Sequence, residues 1–593
     1  MKKPLLLIFI CLLCAICVFP SVRAKASSAP MEKSFYESGI FGTYIEAVLY
    51  GEDGITLDNA FAEVVSVFKE VENAVSASIP TSDIGKFNSL ETNGFAENIS
   101  PHTVTLLAKA KELYRFTSGA FNPCAYLLND LWQLSPRFSD ENFSALYAYD
   151  RSGQALPQEK CINAFKQLMD FDDVEVSGNE SGEYRLIKKA PAVVVDGVSY
   201  HMQIDLGAIA KGYASDLAKN ILNACGITSG RLSVGGSSLI LLDKPDGSEW
   251  SIGLVAPDYS GAYASVKTFG ALSTSGDYQN YFTENGVRYC HIMNTKTGAP
   301  IRTNIRTASV YGDISGAEAD ALSTAVMAMD FETAKAFVNS AKIVNRGIKI
   351  IFVCEKNWMR GSVFEVIANS PQDSIKLQNL DYRLCGFVNG DGSFAYRPLL
   401  PDLWFWLTVA VLISAAVFFL IRKLLKNRSA GHPERDANEK ISCLKNQKFF
   451  LKKDLLLYAS LAVLILALLT VFIFIPQPQA IAELQIRHRN VLIYRYDFEK
   501  GEGAITAADF EEKITITTIG DKTEIRIEIG GHYNVITVEG KTAKVTDADC
   551  SLRKDCVNAF PSLTNAGQTT ICQPHNLKIT AVGKNGTDTL LNG

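Results

Sequence analysis

Apolar positions in this chain follow three rhythms, and each predicts a different kind of element. Over 58–75 they recur at helical spacing, at Phe61, Val64, Val65, Val67, Phe68 and Val71. Ser100-Pro101 reads as a cap followed by a proline at the first helical position, opening a helix that runs to about Phe116. The run Lys349-Ile350-Ile351-Phe352-Val353-Cys354 predicts a buried strand and 363–367 another, so the region 27–396 mixes α and β. Residues 484–593 carry a second rhythm, short alternating runs at 514–517, 524–529, 534–538, 543–545 and 577–582. Turn signals at Gly530-Gly531 and Glu539-Gly540 separate some of them, which predicts a small all-β domain.

The third rhythm is unbroken apolarity. Residues 5–19 follow Lys2 and Lys3 and precede Ala24-Lys25-Ala26, the layout of a secretory signal peptide over 1–26, with a retained anchor as the alternative. Residues 403–421 and 455–475 are runs of 19 and 21 without a charge. At 1.5 Å per residue, either is long enough to span about 30 Å of hydrocarbon as a transmembrane helix. Trp404 and Trp406 stand at one end of the first, where amphipathic rings favour the interface. The loop 422–454 holds ten basic and four acidic residues, a net of +6, which predicts that it is cytoplasmic. The expected layout is therefore an α+β domain, a two-helix transmembrane hairpin and a small C-terminal all-β domain, with both folded domains on the extracytoplasmic side of the cell membrane.

Composition changes this picture in three ways. The chain is 47% hydrophobic and 20% charged, which excludes a disordered protein. Asp+Glu (63) exceed Lys+Arg (58), which argues against a nucleic-acid partner. Removing the +6 loop and the four basic residues of 1–26 from the net -5 leaves -15, so the external portions are acidic. Thirteen cysteines have no zinc-like spacing outside the apolar signal segment, and most read as small buried hydrophobes.

Four segments carry candidate chemistry. Asp205-Leu206-Gly207-Ala208-Ile209-Ala210-Lys211-Gly212-Tyr213-Ala214 follows a strand-like Met202-Gln203-Ile204 and leads into a helix. Such a junction lets backbone N–H groups meet an anion, and Lys211 adds charge. Ser233-Val234-Gly235-Gly236-Ser237-Ser238 permits close backbone approach. Thr274-Ser275-Gly276-Asp277-Tyr278, with the later run through His291 to Gly298, combines hydroxyls and one of seven histidines. In Ala319-Asp320-Ala321-Leu322-Ser323-Thr324-Ala325 a carboxylate and a hydroxyl stand four apart, on one face of a helix, and suit a hard divalent cation. Taken singly, a cap, a packing glycine or an inert hydroxyl explains each segment as well.

Their order and wording resemble the ApbE-type FAD:protein FMN transferases, whose runs D-L-G-x-I-A-K-G-Y-A, T-S-G-D-Y and A-D-A-L-S-T-A stand here almost unchanged. Phe41-Gly42-Thr43, the stretch Ser82 to Asn88 and Gly119-Ala120-Phe121-Asn122-Pro123 match further family runs. The resemblance implies Mg²⁺ held by the Ala208 carbonyl, the Asp320 carboxylate and the Thr324 hydroxyl. It implies FAD, as substrate, against Phe41, Ser82, Asn122, Asp205, Lys211, Thr274, Ser275, Gly276 and His291. The implied activity is transfer of FMN to a Ser or Thr of an extracytoplasmic acceptor, a redox or electron-transfer subunit, with release of AMP. Asp320 and His291 would then be catalytic, His291 by assisting the incoming hydroxyl. Asn122 stands for the family's usual Asp, Asn294-Thr295 for Asp-Pro, and Phe41 for Met. A Mg²⁺-dependent FAD pyrophosphatase and a non-catalytic FAD-binding membrane protein are the alternatives. The C-terminal run Cys550-x5-Cys556 followed by Ile571-Cys572-Gln573-Pro574 resembles the inserted β domain of NusG, which implies a fold and no chemistry.

Overall fold

The computed structural model describes residues 30–134, 156–398 and 481–591, apart from short stretches within them. The expected signal segment, both apolar blocks and the basic loop lie outside the described residues. Among the described residues no helix is long and apolar enough to cross a membrane.

Ten strands form one sheet whose order follows the chain: β1 (Met31–Ile40), β2 (Thr43–Gly51), β3 (Ser229–Val234), β4 (Ser238–Leu241), β5 (Gly270–Gly276), β6 (Ile305–Gly312), β7 (Lys349–Trp358), β8 (Gly361–Pro371), β9 (Tyr382–Val388) and β10 (Phe394–Tyr396). Neighbours are antiparallel except β8 and β9. Both faces are covered, which explains why β7 reads as a continuous apolar run. Ile350, Phe352 and Cys354 enter the core beneath the helices, while Ile351 and Val353 enter a second core on the opposite face. That second core lies against a smaller sheet containing Trp250–Val255 and Ala262–Thr268.

Four longer helices pack on the first face: α1 (Gly54–Val75), α2 (Pro101–Phe116), α3 (Gly207–Ala224) and α4 (Gly316–Ala328). α1 starts earlier than the periodicity predicts, because Asp53 caps it by accepting the Thr56 amide. The predicted Ser100 cap is present, its hydroxyl accepting from the His102 amide at 3.2 Å. Met202-Gln203-Ile204 corrects an expectation, since it joins no sheet. Its last residue bonds a side chain instead: the Ile204 N–H donates to Asn88 Oδ1 at 2.8 Å and the Ile204 carbonyl accepts from Asn88 Nδ2 at 2.9 Å.

The C-terminal region is all-β apart from short helical turns, as expected, with more strands than the alternating runs show. One sheet contains Glu502–Ile505, Val491–Asp497, Glu483–His488, Leu577–Val582 and Thr569–Cys572 in that order. The other is an antiparallel meander, β11 (Ile514–Ile519), β12 (Lys522–Ile529), β13 (His532–Glu539) and β14 (Thr542–Ala548).

Candidate active site

α3 and α4 cross where two glycines meet. A Cβ on Gly212 would lie 2.1 Å from the Gly316 carbonyl oxygen, and one on Gly316 would lie 2.6 Å from the Gly212 carbonyl oxygen. Only glycine allows these backbones to approach so closely. Asp216 of α3 clasps the start of α4, accepting the Gly316 and Ala317 amides at 2.6 and 3.1 Å, and burial pushes its carboxyl up to about 6.

The close crossing brings the Asp320 carboxylate onto α3. Its Oδ2 accepts the Gly212 N–H at 2.7 Å, and its Oδ1 accepts the hydroxyls of Ser238 and Ser273 at 2.7 and 2.6 Å. Ser273 and Ser238 stand opposite one another on β5 and β4. One buried carboxylate thus ties two helices to two strands. Burial raises its pKa, while Lys211 and the three donors act the other way. In a regular helix the Gly212 amide would donate to the Ala208 carbonyl. Here it also points at Asp320, while Ala208 is exposed at the start of α3.

Thr324 stands apart from the rest of α4. Twelve of the thirteen residues are buried and Thr324 alone is partly open. Its hydroxyl lies 3.3 Å from the Ser275 hydroxyl, which also bonds Ser323 at 2.8 Å. Lys211 Nζ donates to Ser237 at 3.3 Å, beside the Gly235-Gly236 turn. Both glycines have positive φ, 62° and 69°, and a Cβ on Gly235 would come within 2.7 Å of Thr43 Oγ1. That contact sets the β1–β2 turn beside the β3–β4 turn. Phe41 occupies the first turn at φ 52°, unusual for a bulky residue. Its amide donates to Glu72 Oε1 at 2.8 Å and its ring meets Phe68 edge-on.

A second group gathers at the start of α3. Asp205 accepts the Gly207 amide at 2.8 Å, and its own amide donates to the Pro123 carbonyl at 2.9 Å. Burial raises the Asp205 carboxyl. Asn122 donates to the Met169 carbonyl at 2.8 Å and to Thr295 Oγ1 at 3.4 Å, four residues beyond His291. Two departures from the family pattern are therefore neighbours. A carboxylate at 122 could not donate to Met169, so Asn122→Asp is expected to cost about 1–3 kcal/mol of stability, seen as a lower unfolding midpoint. An unchanged midpoint would dismiss that hydrogen bond.

Two of the expected FAD residues bond within the protein through their hydroxyls. The Thr274 hydroxyl lies on the other face of β5 from Ser273 and Ser275, and bonds Ser309 at 2.7 Å. The Ser82 hydroxyl is buried in its own turn, donating to the Ser76 carbonyl at 2.6 Å and accepting the Gly85 amide at 2.8 Å. Sequence reasoning missed Ser238, Ser273 and the Gly212 amide as Asp320 partners. All three lie in or beside the motif segments, and only strand register reveals that they converge.

The donor set fits a hard cation. A carboxylate offers about four lone-pair directions; three donors occupy Asp320, leaving one on Oδ2. The partly open Thr324 hydroxyl and the Ala208 carbonyl supply further oxygens of the kind magnesium takes.

The profile of the ApbE family matches residues 41–349, more than half of the chain, and that of NusG domain II matches 458–585. The FAD:protein FMN transferase of Vibrio cholerae serotype O1 is 26% identical over 318 residues, covering 53% of this chain and 86% of that protein. The protein of the same description from Treponema pallidum is 25% identical over 361 residues, covering 58% and 91%. The apo crystal structure of Pseudomonas stutzeri flavinyl transferase ApbE superimposes with a TM-score of 0.46 at 26% identity, covering 57% of this chain and 96% of that one. With the family model matching more than half of its length, this chain belongs to the ApbE family.

Proposed function

We propose that the chain transfers FMN from FAD to a Ser or Thr hydroxyl of an extracytoplasmic acceptor protein, with Mg²⁺, and releases AMP. The observation that carries this reading is the oxygen-rich cluster at Asp320, set beside Lys211 and the start of α3, where Gly207 and Ala208 are exposed. A helix start and a cation favour a pyrophosphate. In the reaction the acceptor oxygen attacks the phosphorus on the FMN side of the pyrophosphate. A new P–O bond forms, the P–O bond to AMP breaks with its electron pair leaving on AMP, and the acceptor proton is released. A magnesium ion on Ala208, Asp320 and Thr324 would neutralise charge developing on the phosphate oxygens. Lys211 offsets charge at the same place, and His291 positions or deprotonates the incoming hydroxyl. The apolar blocks and the basic loop support a membrane-anchored enzyme with its active site outside, acting on acceptors on the same surface.

Incubating the full-length protein with FAD, Mg²⁺ and a candidate acceptor is expected to leave flavin fluorescence on the denatured acceptor. Free FMN with AMP would mark a pyrophosphatase, and intact FAD a carrier. Thr324→Val removes only a hydroxyl from a partly open position. It is expected to slow transfer by about 10–100-fold and raise the Mg²⁺ requirement, with Thr324→Ser restoring both. A normal rate and Mg²⁺ requirement in Thr324→Val would remove this residue from the metal set.

A further inference from the structure

We propose that the C-terminal β domain holds a divalent transition-metal ion of the zinc type, bound by His532, Asp549 and His575. His532 opens β13, Asp549 directly follows β14, and His575 lies in the turn before Leu577–Val582 of the other sheet. Their ligand atoms all lie within 4.8 Å of one another, in a domain that the transferase reading leaves without chemistry. His532 Nδ1 is 3.2 Å from Asp549 Oδ2, and His575 Nε2 is 3.5 Å from Asp549 Oδ1. Tetrahedral ligands about 2.1 Å from a zinc ion stand roughly 3.4 Å apart; each histidine is near that distance from a different Asp549 oxygen, so the carboxylate would bind through both oxygens or turn to share one.

The surroundings orient the ligands. The Asp549 carboxylate is fixed by the Tyr533 amide, which donates to Oδ1 at 2.7 Å. The fully buried Asn534 directs its amide nitrogen at the Cys556 sulfur, 3.5 Å away, and so presents its oxygen to His575 Nδ1. Nδ1 then carries the proton, and Nε2 turns its lone pair toward the carboxylate. This is the outer-shell hydrogen bond that metal-binding histidines generally make. The His575 side chain is only 6% exposed. A lone pair facing a carboxylate oxygen repels it, and a cation between them turns repulsion into binding. Two imidazoles and one carboxylate favour a borderline divalent ion over magnesium, with the fourth position left to water. Bound there, the ion would pin together chain segments from both sheets.

Zinc is the probe. Full-length protein with reduced thiols and saturating Mg²⁺ is dialysed against zinc, and bound metal is counted by mass spectrometry. The wild type is expected to retain one zinc more than His532→Ala, whose affinity at this site falls by about 100-fold or more. His532→Cys, which keeps a ligand, is expected to recover it. Asp549→Asn, at another exposed position, serves if His532→Ala fails to fold. Equal zinc in the wild type and a folded ligand variant would overturn the site.

Discussion

Asp320→Asn is expected to reduce FMN transfer by at least about 10³-fold, on the scale of losing a principal charge-stabilising group. The substitution keeps size and shape but removes the negative charge. The amide oxygen can still accept from Ser238 and Ser273, while its NH₂ must face the Gly212 N–H, donor against donor. That clash costs about 1–3 kcal/mol, too little to unfold a domain with so large a core. The loss should therefore appear in AMP release at unchanged circular dichroism. A folded Asp320→Asn protein working within tenfold of the wild type would remove Asp320 from the reaction.

Gly212→Ala is expected to give the largest loss of stability. The added methyl would lie 2.1 Å from the Gly316 oxygen, 2.2 Å from its carbonyl carbon and 2.6 Å from the Ala317 nitrogen. All three are backbone atoms and no rotamer relieves them, so the helices must part. Overpacking of this kind costs about 3 kcal/mol or more. Separation also draws Asp320 from the Gly212 amide, so transfer should fall together with the unfolding midpoint. Gly247→Ala is the control: its φ is +74°, with nothing within 4 Å of the new methyl, and it costs only about 1 kcal/mol. Equal midpoints for the two variants would contradict the close crossing.

Much of this was legible in the sequence because it depends on local chemistry. The α1 periodicity, the Ser100-Pro101 cap and the β7 apolar run need only neighbouring residues, and each became the expected element. The all-β character of the C-terminal region was legible too, although the alternation did not reveal Glu483–His488 or Val491–Asp497. What was hidden depends on register. Ser238 and Ser273 are far apart in the chain and become a pair only because β4 and β5 align them. The same alternation sends Ser275 toward α4 and the Thr274 hydroxyl to the opposite face, which a motif read as a string cannot show. Met202-Gln203-Ile204 looks like a strand, but its last residue is instead bonded by one asparagine from a distant helix. The His532, Asp549 and His575 group spans more than forty residues and two sheets, so no spacing rule would have found it.

The most direct test of the central claim is a product balance. Full-length protein, FAD, Mg²⁺ and an acceptor are incubated, and AMP, free FMN and acceptor-bound flavin are quantified together. Transfer predicts AMP and acceptor-bound flavin in equal amounts, with no free FMN and no product when Mg²⁺ is chelated. AMP matched by free FMN, with an unmodified acceptor that a known transferase flavinylates in parallel, would contradict it.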